Sequence, residues 1–277
     1  MSEDKIDRIL EEQHRFERTR EILRHSLSIA VDQRVTEESM SHLPQRYPRW
    51  PSGVRKIDDH FGGFYGLTMI GGNEATGKSL LALGSSLLAA ETGWCVCYFD
   101  AENGQRIMRD RYDRWYGETL ASEARQRLQG YWHRFRVRPG ATTANLLEQI
   151  LHAYTLRHHG LLIVLDSHST IAEFGAESSQ DSLDLSRRML FWLDSLVQGT
   201  HGYVSALSLS ELNAGGELKG LKAKYTASVA VRLEKEDDDA LVRIKITKSR
   251  DGRSGDAGLH TREWRTGRFV ETTDVTK

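Results

Sequence analysis

Apolar residues follow two different periods along this chain, and each period predicts a type of element. From Pro51 onward, short apolar runs alternate with longer amphipathic stretches. Such alternation of strand and helix is typical of a parallel sheet flanked by helices, so the expected fold class is α/β. We predict strands at Leu67 to Gly71, Trp94 to Phe99, Trp132 to Val137, Leu161 to Asp166 and Gly202 to Ser208, and helices that start near Lys78, Gln105, Ala141 and Gln180.

The pattern changes after about Ala227, where polar and apolar residues alternate with period two. The segment "SVAVRLEKEDDDALVRIKITKSRDG" predicts a C-terminal antiparallel hairpin. Its acidic turn, Glu234 to Asp239, is expected to be a solvated tip.

The N-terminal region, Ser2 to about Arg34, has an apolar stripe at helical spacing and is predicted to be one amphipathic helix. It could fold back on its own domain or act as an arm that contacts a neighbouring subunit. The next segment, "TEESMSHLPQRYPRWP", holds three of the four prolines and predicts an extended linker, which favours the arm. We expect an arm at 1–35, a linker at 36–50, an α/β domain at 51–272 and a tail at 273–277.

Composition narrows the class of protein. The 277 residues are 39% hydrophobic and 28% charged, with a net charge of -1, as in a globular protein without a basic field. No apolar run approaches the roughly 20 residues of a membrane span, and no signal-peptide core is present, so we expect a cytoplasmic protein without membrane contact. Cys95 and Cys97 share a face of a predicted buried strand and are expected to be core residues.

A phosphate-binding loop is predicted between the first strand and the helix that follows it. Residues Gly72, Asn73, Glu74, Ala75, Thr76, Gly77, Lys78 and Ser79 match G-x-x-x-x-G-K-[ST]. The glycines let backbone N–H groups turn toward an anion at a helix N-terminus. Lys78 is expected to reach the β and γ phosphates of ATP, and the Ser79 hydroxyl to hold Mg²⁺.

Acids at the ends of two other strands complete this prediction. Asp166, at the end of "LLIVLDS", is the expected second Mg²⁺ anchor, with helix capping as the alternative. In "YFDAENG", Glu102 is the expected general base for a water that attacks the γ phosphate, and Asp100 is the substitute if Glu102 is not the base. Both acids could instead merely cap the next helix.

This combination resembles the RecA-like P-loop ATPases, which include the recombinase RecA, the DnaB-type replicative helicases and the KaiC-like proteins. The "DAE" segment and the lead-in "PSGVRKIDDHFGGFYGLTMIGG" carry the likeness, which covers roughly Pro51 to Val270. It implies a RecA-like core with a mostly parallel twisted sheet. Near the C-terminus, "ITKSRDGRSG" resembles the DnaB-type "K-x-R", which implies that Lys248 and Arg250 act on the γ phosphate of a neighbouring subunit. The alternative is an ordinary charged strand end.

The same resemblance implies a DNA-binding channel and a polar sensor. At the sensor position "VSALSLSEL" offers Leu209 with serines on either side, so Ser208 is the expected substitute. The loop "SHSTIAEFGAESSQ" is acidic and suits phosphates poorly. The loop "ELNAGGELKGLKAKYTAS" offers Lys219, Lys222 and Lys224 for single-stranded DNA, or is simply solvated. No metal-ligand spacing is found around His158, His159, His168 and His201, which are expected to be ordinary histidines.

The sequence therefore favours an ATP-hydrolysing protein that forms a ring or filament and acts on single-stranded DNA with other replication or recombination proteins. A DnaB-like ring helicase is the favoured form. A KaiC-like or recombination-mediator ATPase, which uses ATP as an assembly switch, is the first alternative. A small-molecule kinase with "RIMRDRYDRWYGE" as an arginine-rich lid is the second.

Overall fold

A computed structural model describes residues 3–29, 48–117, 120–155, 157–200, 203–213, 218, 226–236, 238, 240–251, 254–263 and 265–272. The helices in these ranges are α1 (Glu3–Ile29), α2 (Arg55–Phe61), α3 (Lys78–Glu91), α4 (Gln105–Tyr116), α5 (Ala121–Arg127), α6 (Thr143–Ala153), α7 (His168–Phe174) and α8 (Ser179–Gly199). The strands are β1 (Arg49–Trp50), β2 (Phe64–Tyr65), β3 (Leu67–Gly72), β4 (Cys95–Asp100), β5 (Trp132–Arg136), β6 (Leu161–Asp166), β7 (Val204–Ser210), β8 (Val229–Lys235), β9 (Leu241–Ser249), β10 (Gly255–Glu263) and β11 (Arg268–Glu271).

A nine-stranded sheet organises the domain, in the order β11-β10-β9-β8-β3-β7-β6-β4-β5. The strands from β8 to β5 in this order run parallel, whereas β8 through β11 form antiparallel pairs. The predicted α/β class is therefore confirmed, and β8 with β9 is the predicted hairpin. The sequence prediction omitted β10 and β11, which extend that hairpin into a longer antiparallel group, and the small β1-β2 pair.

The core lies on both faces of the sheet because side chains alternate along each buried strand. On β4, Val96 and Tyr98 join one apolar cluster, while Cys95, Cys97 and Phe99 join the other. Both cysteines are buried free thiols, which confirms their prediction as core residues. The carboxyl ends of β3, β4, β6 and β7 meet at one edge of the sheet, and the candidate site lies there.

Helix α1 packs on its own chain, against α6 and α8. Leu23 is fully buried, the Phe16 and Tyr154 rings are 5.3 Å apart, and the Arg15 guanidinium lies over the Tyr203 ring. Within one chain this corresponds to the folded-back alternative. Contact of α1 with a neighbouring subunit is therefore a proposal about assembly. Of the predicted linker at 36–50, residues 36–47 lie outside the described residues.

Among the described helices, none is both long and apolar enough to cross a membrane.

Candidate nucleotide site

The loop from Gly72 to Gly77 joins β3 to α3 and has the shape of an anion nest. Gly77 precedes α3 with a φ of 93°, a left-handed conformation that favours glycine. A Cβ on Gly72 would lie 2.4 Å from the Thr76 hydroxyl oxygen, so the tight loop leaves no room for a side chain there. Ala75 also has a positive φ of 58°. The loop backbone therefore turns as the motif predicts, at the N-terminus of a 14-residue helix.

Lys78 lies across the mouth of this loop. Its Nζ donates hydrogen bonds to the carbonyl oxygens of Gly72, at 2.8 Å, and Asn73, at 2.9 Å. Burial lowers the pKa of Lys78, and nearby carboxylates, with Glu102 and Glu211 the strongest, act in the opposite direction. The cation is thus held inside the loop, where a polyphosphate could exchange for the two carbonyl contacts.

Asp166 joins the phosphate loop to the centre of the sheet. Its Oδ1 accepts a hydrogen bond from Ser79 Oγ at 3.0 Å, and its Oδ2 accepts one from Tyr98 OH at 2.8 Å. Burial raises the pKa of Asp166 to about 6, although the hydrogen bonds oppose the shift. A hydroxyl and a carboxylate held this close suit Mg²⁺, which takes few protein ligands and completes its shell with phosphate and water oxygens.

Glu102 lies two residues beyond the end of β4. Its Oε1 accepts hydrogen bonds from Ser167 Oγ at 2.6 Å and from Thr170 Oγ1 at 2.7 Å. Its side chain is exposed. The carboxylate is therefore oriented by two hydroxyls at the start of α7 and remains open to solvent, as a base that activates water requires.

Asp100 has a different environment, which bears on its role as a substitute base. It is fully buried, and Arg134 donates two hydrogen bonds to its Oδ2, at 3.0 and 2.7 Å. Its Oδ1 accepts from the backbone N–H groups of Glu102 and Asn103. Asp100 thus caps the turn that carries Glu102, whereas the hydrogen bonds of Glu102 come from side-chain hydroxyls. With both oxygens engaged, Asp100 is poorly placed to accept a proton from water.

Asn103 connects the two buried acids. Its Nδ2 donates to Asp100 Oδ1 at 3.1 Å and to Asp166 Oδ2 at 3.0 Å, and its Oδ1 accepts from Arg111 Nη1 at 3.0 Å. The sequence prediction did not single out Asn103. The sequence did contain a signal for this residue, since its polar amide directly follows Glu102.

At the end of β7, the predicted sensor residues lie inside the protein. Leu209 is buried in the apolar core, and the fully buried Ser208 hydroxyl lies 2.8 Å from His168 Nδ1. Burial lowers the pKa of His168 to about 4, so this histidine is neutral at neutral pH. Glu211, the residue after β7, is instead close enough to act on the charge of Lys78. The sequence prediction placed Glu211 at the start of the loop after this strand but assigned it no role in the site.

The remaining predicted residues lie away from this cluster or outside the described chain. Arg250 donates to the Thr226 carbonyl at 2.7 Å and lies 3.7 Å from an Asp194 carboxylate oxygen. Lys248 is on β9, paired with Ala230 of β8. Their action on a neighbouring subunit remains a prediction. Lys219, Lys222, Lys224 and His201 lie outside the described residues, which contain no cluster of three or more His, Cys, Asp or Glu side chains suited to a metal.

Comparisons with known proteins agree with this architecture. A family model described as an AAA domain matches residues 52–207, a little more than half of the chain, so the chain belongs to that family. A solved DnaB-like replicative helicase, described with its interactions with primase, superposes with a TM-score of 0.67 at 14% identity, over 96% of this chain and 76% of that one. A KaiC-like protein from the hyperthermophilic archaeon Pyrococcus horikoshii superposes with a TM-score of 0.62 at 17% identity, over 82% of this chain and all of the other.

Together, the family match and the shared fold place the chain among the RecA-like P-loop ATPases. A search of curated protein sequences found no significant match.

Proposed function

We propose that this RecA-fold ATPase hydrolyses Mg²⁺·ATP at the loop of residues 72–79 and acts on single-stranded DNA in replication or recombination, as a DnaB-like ring helicase. One observation carries the proposal: Ser79, Asp166 and Lys78 meet at the N-terminus of α3, with Glu102 at the adjoining strand end. A phosphate nest, a metal anchor and a base are the parts that phosphoryl transfer to water requires.

The protein side of the reaction follows from these contacts. Lys78 would leave the carbonyl groups of the loop and pair with the β and γ phosphates. Ser79 and Asp166 would hold Mg²⁺, which supplies neutralising charge when bound. Glu102, oriented by Ser167 and Thr170, would accept a proton from the attacking water. Arg134 and Asn103 would keep the turn that carries Glu102 in place.

Assembly is proposed because the resemblance to the DnaB-type helicases assigns Lys248 and Arg250 to the γ phosphate of a neighbouring subunit. Arg250 is exposed at the end of β9, and Lys248 precedes it on the same strand. Supplied to a neighbouring subunit, these side chains would neutralise charge on its γ phosphate and make hydrolysis depend on assembly. The lysines at 219, 222 and 224 are the proposed contacts to single-stranded DNA.

A second candidate, an ATP-gated assembly protein of the KaiC-like kind, is favoured by the surface beside α7. A cavity of about 560 Å³ between α7 and α8 is lined mainly by serines, with Glu173 and Glu177 and no cationic side chain. This is the region that the resemblance assigns to one DNA-binding loop, and its charge would repel phosphates. A protein that assembles on ATP and meets other proteins does not need cations there.

Steady-state ATP hydrolysis with and without single-stranded DNA separates the two candidates. Strong stimulation by DNA, lost in a Lys219→Ala, Lys222→Ala, Lys224→Ala triple variant, is expected for the helicase. A Lys78→Ala variant measures contaminating ATPase activity. Hydrolysis that is slow and indifferent to DNA would refute the DNA-dependent function and support the assembly switch.

A further inference from the structure

The hairpin β10-β11 lies against the phosphate loop, although it is far from the loop in sequence. The Arg262 guanidinium, on β10, donates a hydrogen bond from Nη1 to the carbonyl oxygen of Ala75. A Cβ on Gly77 would lie 2.8 Å from the Phe269 ring of β11 and 3.1 Å from Arg262 Cδ. Arg262 and Phe269 are themselves cross-strand partners. The hairpin therefore lies against the loop at two positions, Ala75 and Gly77, through the guanidinium of Arg262 and the ring of Phe269.

We propose that Arg262 is a positioning residue of the nucleotide site, which fixes the conformation in which the loop receives polyphosphate. This inference rests on the proposed function of the loop as an ATP site. Arg262 is only 5% exposed, so its hydrogen bond is largely shielded from competing water. A bond from a charged donor to a carbonyl is also stronger than one between neutral groups.

The contact falls where the loop is least favourable in isolation. Ala75 has a positive φ of 58°, a left-handed conformation that is strained for a residue with a side chain. Arg262 bonds to the carbonyl oxygen of this same residue and so favours the strained conformation. Because the carbonyl and the next N–H point in opposite directions across a trans peptide, holding the Ala75 carbonyl toward Arg262 keeps it from turning toward the anion.

The hairpin is anchored elsewhere, so Arg262 is held independently of the loop. Arg268, at the start of β11, lies 4.7 Å over the Trp115 ring and donates to the Trp115 carbonyl at 3.2 Å. Backbone hydrogen bonds join β10 to β9 and so to the rest of the sheet. The loop is therefore held against a fixed element, which lowers the ordering cost of binding phosphate.

The test compares nucleotide affinity and turnover in Arg262→Met, Arg262→Gln and Arg262→Lys. Arg262→Met is expected to weaken the binding of ATP, ADP and pyrophosphate by similar factors, about tenfold. The value of kcat should change less, because the loop binds the ground state and the transition state alike. Arg262→Lys should restore part of the affinity, since it keeps a cationic donor. Pyrophosphate reports on the phosphate loop without the base or ribose.

Arg157→Met is the matched control, because Arg157 also donates to a backbone carbonyl, that of Gly130 at 3.0 Å, but at the far edge of the sheet. It should leave all three affinities unchanged. Thermal melting shows whether each variant is folded, and Arg262→Gln keeps a donor if the methionine variant does not fold. Folded Arg262 variants with wild-type affinity for pyrophosphate and ADP would overturn the inference.

Failure of this inference differs from failure of the ATP site itself. If Lys78→Ala binds ATP as the wild type does, the assignment of the loop is wrong. If Lys78→Ala loses ATP binding while the Arg262 variants bind ATP with wild-type affinity, only the role of Arg262 is wrong.

Discussion

At the residue scale, the two acids at the carboxyl end of β4 have different surroundings, which favour one of the alternatives that the sequence left open. Asp100 is buried and saturated with hydrogen bonds, whereas Glu102 is exposed and held by only two hydroxyls. The difference arises from position, since Asp100 is the last residue of β4 and Glu102 belongs to the turn beyond it. We therefore propose that Glu102 accepts the proton and that Asp100 supports the turn that carries it.

Glu102→Gln should bind ATP normally but hydrolyse it at least about 100-fold more slowly, because the amide can still accept the two hydroxyl bonds but cannot take a proton. Single-turnover hydrolysis beside equilibrium ATP binding measures the two effects. Glu123→Gln, an exposed acid on α5, is the matched control and should change neither. A Glu102→Gln variant with the wild-type rate would exclude this base.

Asp166 should give the unfolding free energy a distinctive pH dependence. Its pKa is about 6 in the fold, because of burial, and 3.8 for the unperturbed group. The folded protein therefore holds this proton in a range where the unfolded chain has lost it, so the associated stability is present below about pH 4 and is lost as pH rises through about 6.

Asp166→Asn cannot ionise. Between pH 5 and pH 7.5 the unfolding free energy of the wild type should therefore fall by about 1.4 kcal/mol relative to that of this variant. Urea unfolding without Mg²⁺ or nucleotide at both pH values measures this difference. Parallel pH profiles for the two proteins would contradict a raised pKa of the buried Asp166 carboxyl group.

At the element scale, features whose residues are contiguous in the sequence could be predicted, whereas contacts between segments far apart in the sequence could not. The phosphate loop lies within residues 72–79 and is bounded by a strand and a helix, so both its motif and its context are local. Strand ends differ from the prediction by a few residues, since β7 ends at Ser210, two residues beyond the predicted end.

The hairpin β10-β11 was not predicted, because its sequence has no regular pattern and its contacts with the loop are distant in the sequence. Its strand "GDAGLHTRE" contains glycines and charges, only Ala257, His260 and Arg262 are buried, and a register shift between Asp256 and Gly258 breaks the alternation. Arg262 contacts Ala75 across 187 residues of sequence, a separation that no local pattern reveals. The two-residue strands β1 and β2 are too short to give a periodic signal.

Helix α1 provides a test of folded-back packing. Leu23→Ala removes a fully buried side chain that packs with the apolar cluster under α6 and α8, and should lower the unfolding free energy by about 2–4 kcal/mol. Leu10→Ala, on the same helix but 48% exposed, should cost less than about 0.5 kcal/mol. Denaturant unfolding of both variants at several protein concentrations is the measurement.

Equal, small effects of the two leucine substitutions would contradict packing of α1 at Leu23. A Leu23→Ala effect that grows as the protein is diluted would show that α1 is buried between subunits instead of within one chain.

At the scale of the whole molecule, the proposed ring makes hydrolysis a property of interfaces. Subunits with Arg250→Ala lack the proposed trans cation, and subunits with Glu102→Gln lack the base. Mixing the two inactive proteins should restore part of the turnover, at interfaces that join an intact base to an intact arginine. Size-exclusion chromatography with light scattering would confirm that the mixture assembles. Turnover that stays at the sum of the separate proteins would place Arg250 outside catalysis.

The most direct test of the central claim, that the loop of residues 72–79 with Asp166 and Glu102 is an ATPase site, is steady-state ATP hydrolysis by the wild type beside Lys78→Ala. Lys235→Ala, on exposed β8 surface, is the matched control for loss of a lysine. We predict magnesium-dependent hydrolysis by the wild type and by Lys235→Ala, and a reduction of at least about 100-fold in Lys78→Ala. Equal hydrolysis by all three proteins would contradict the site assignment.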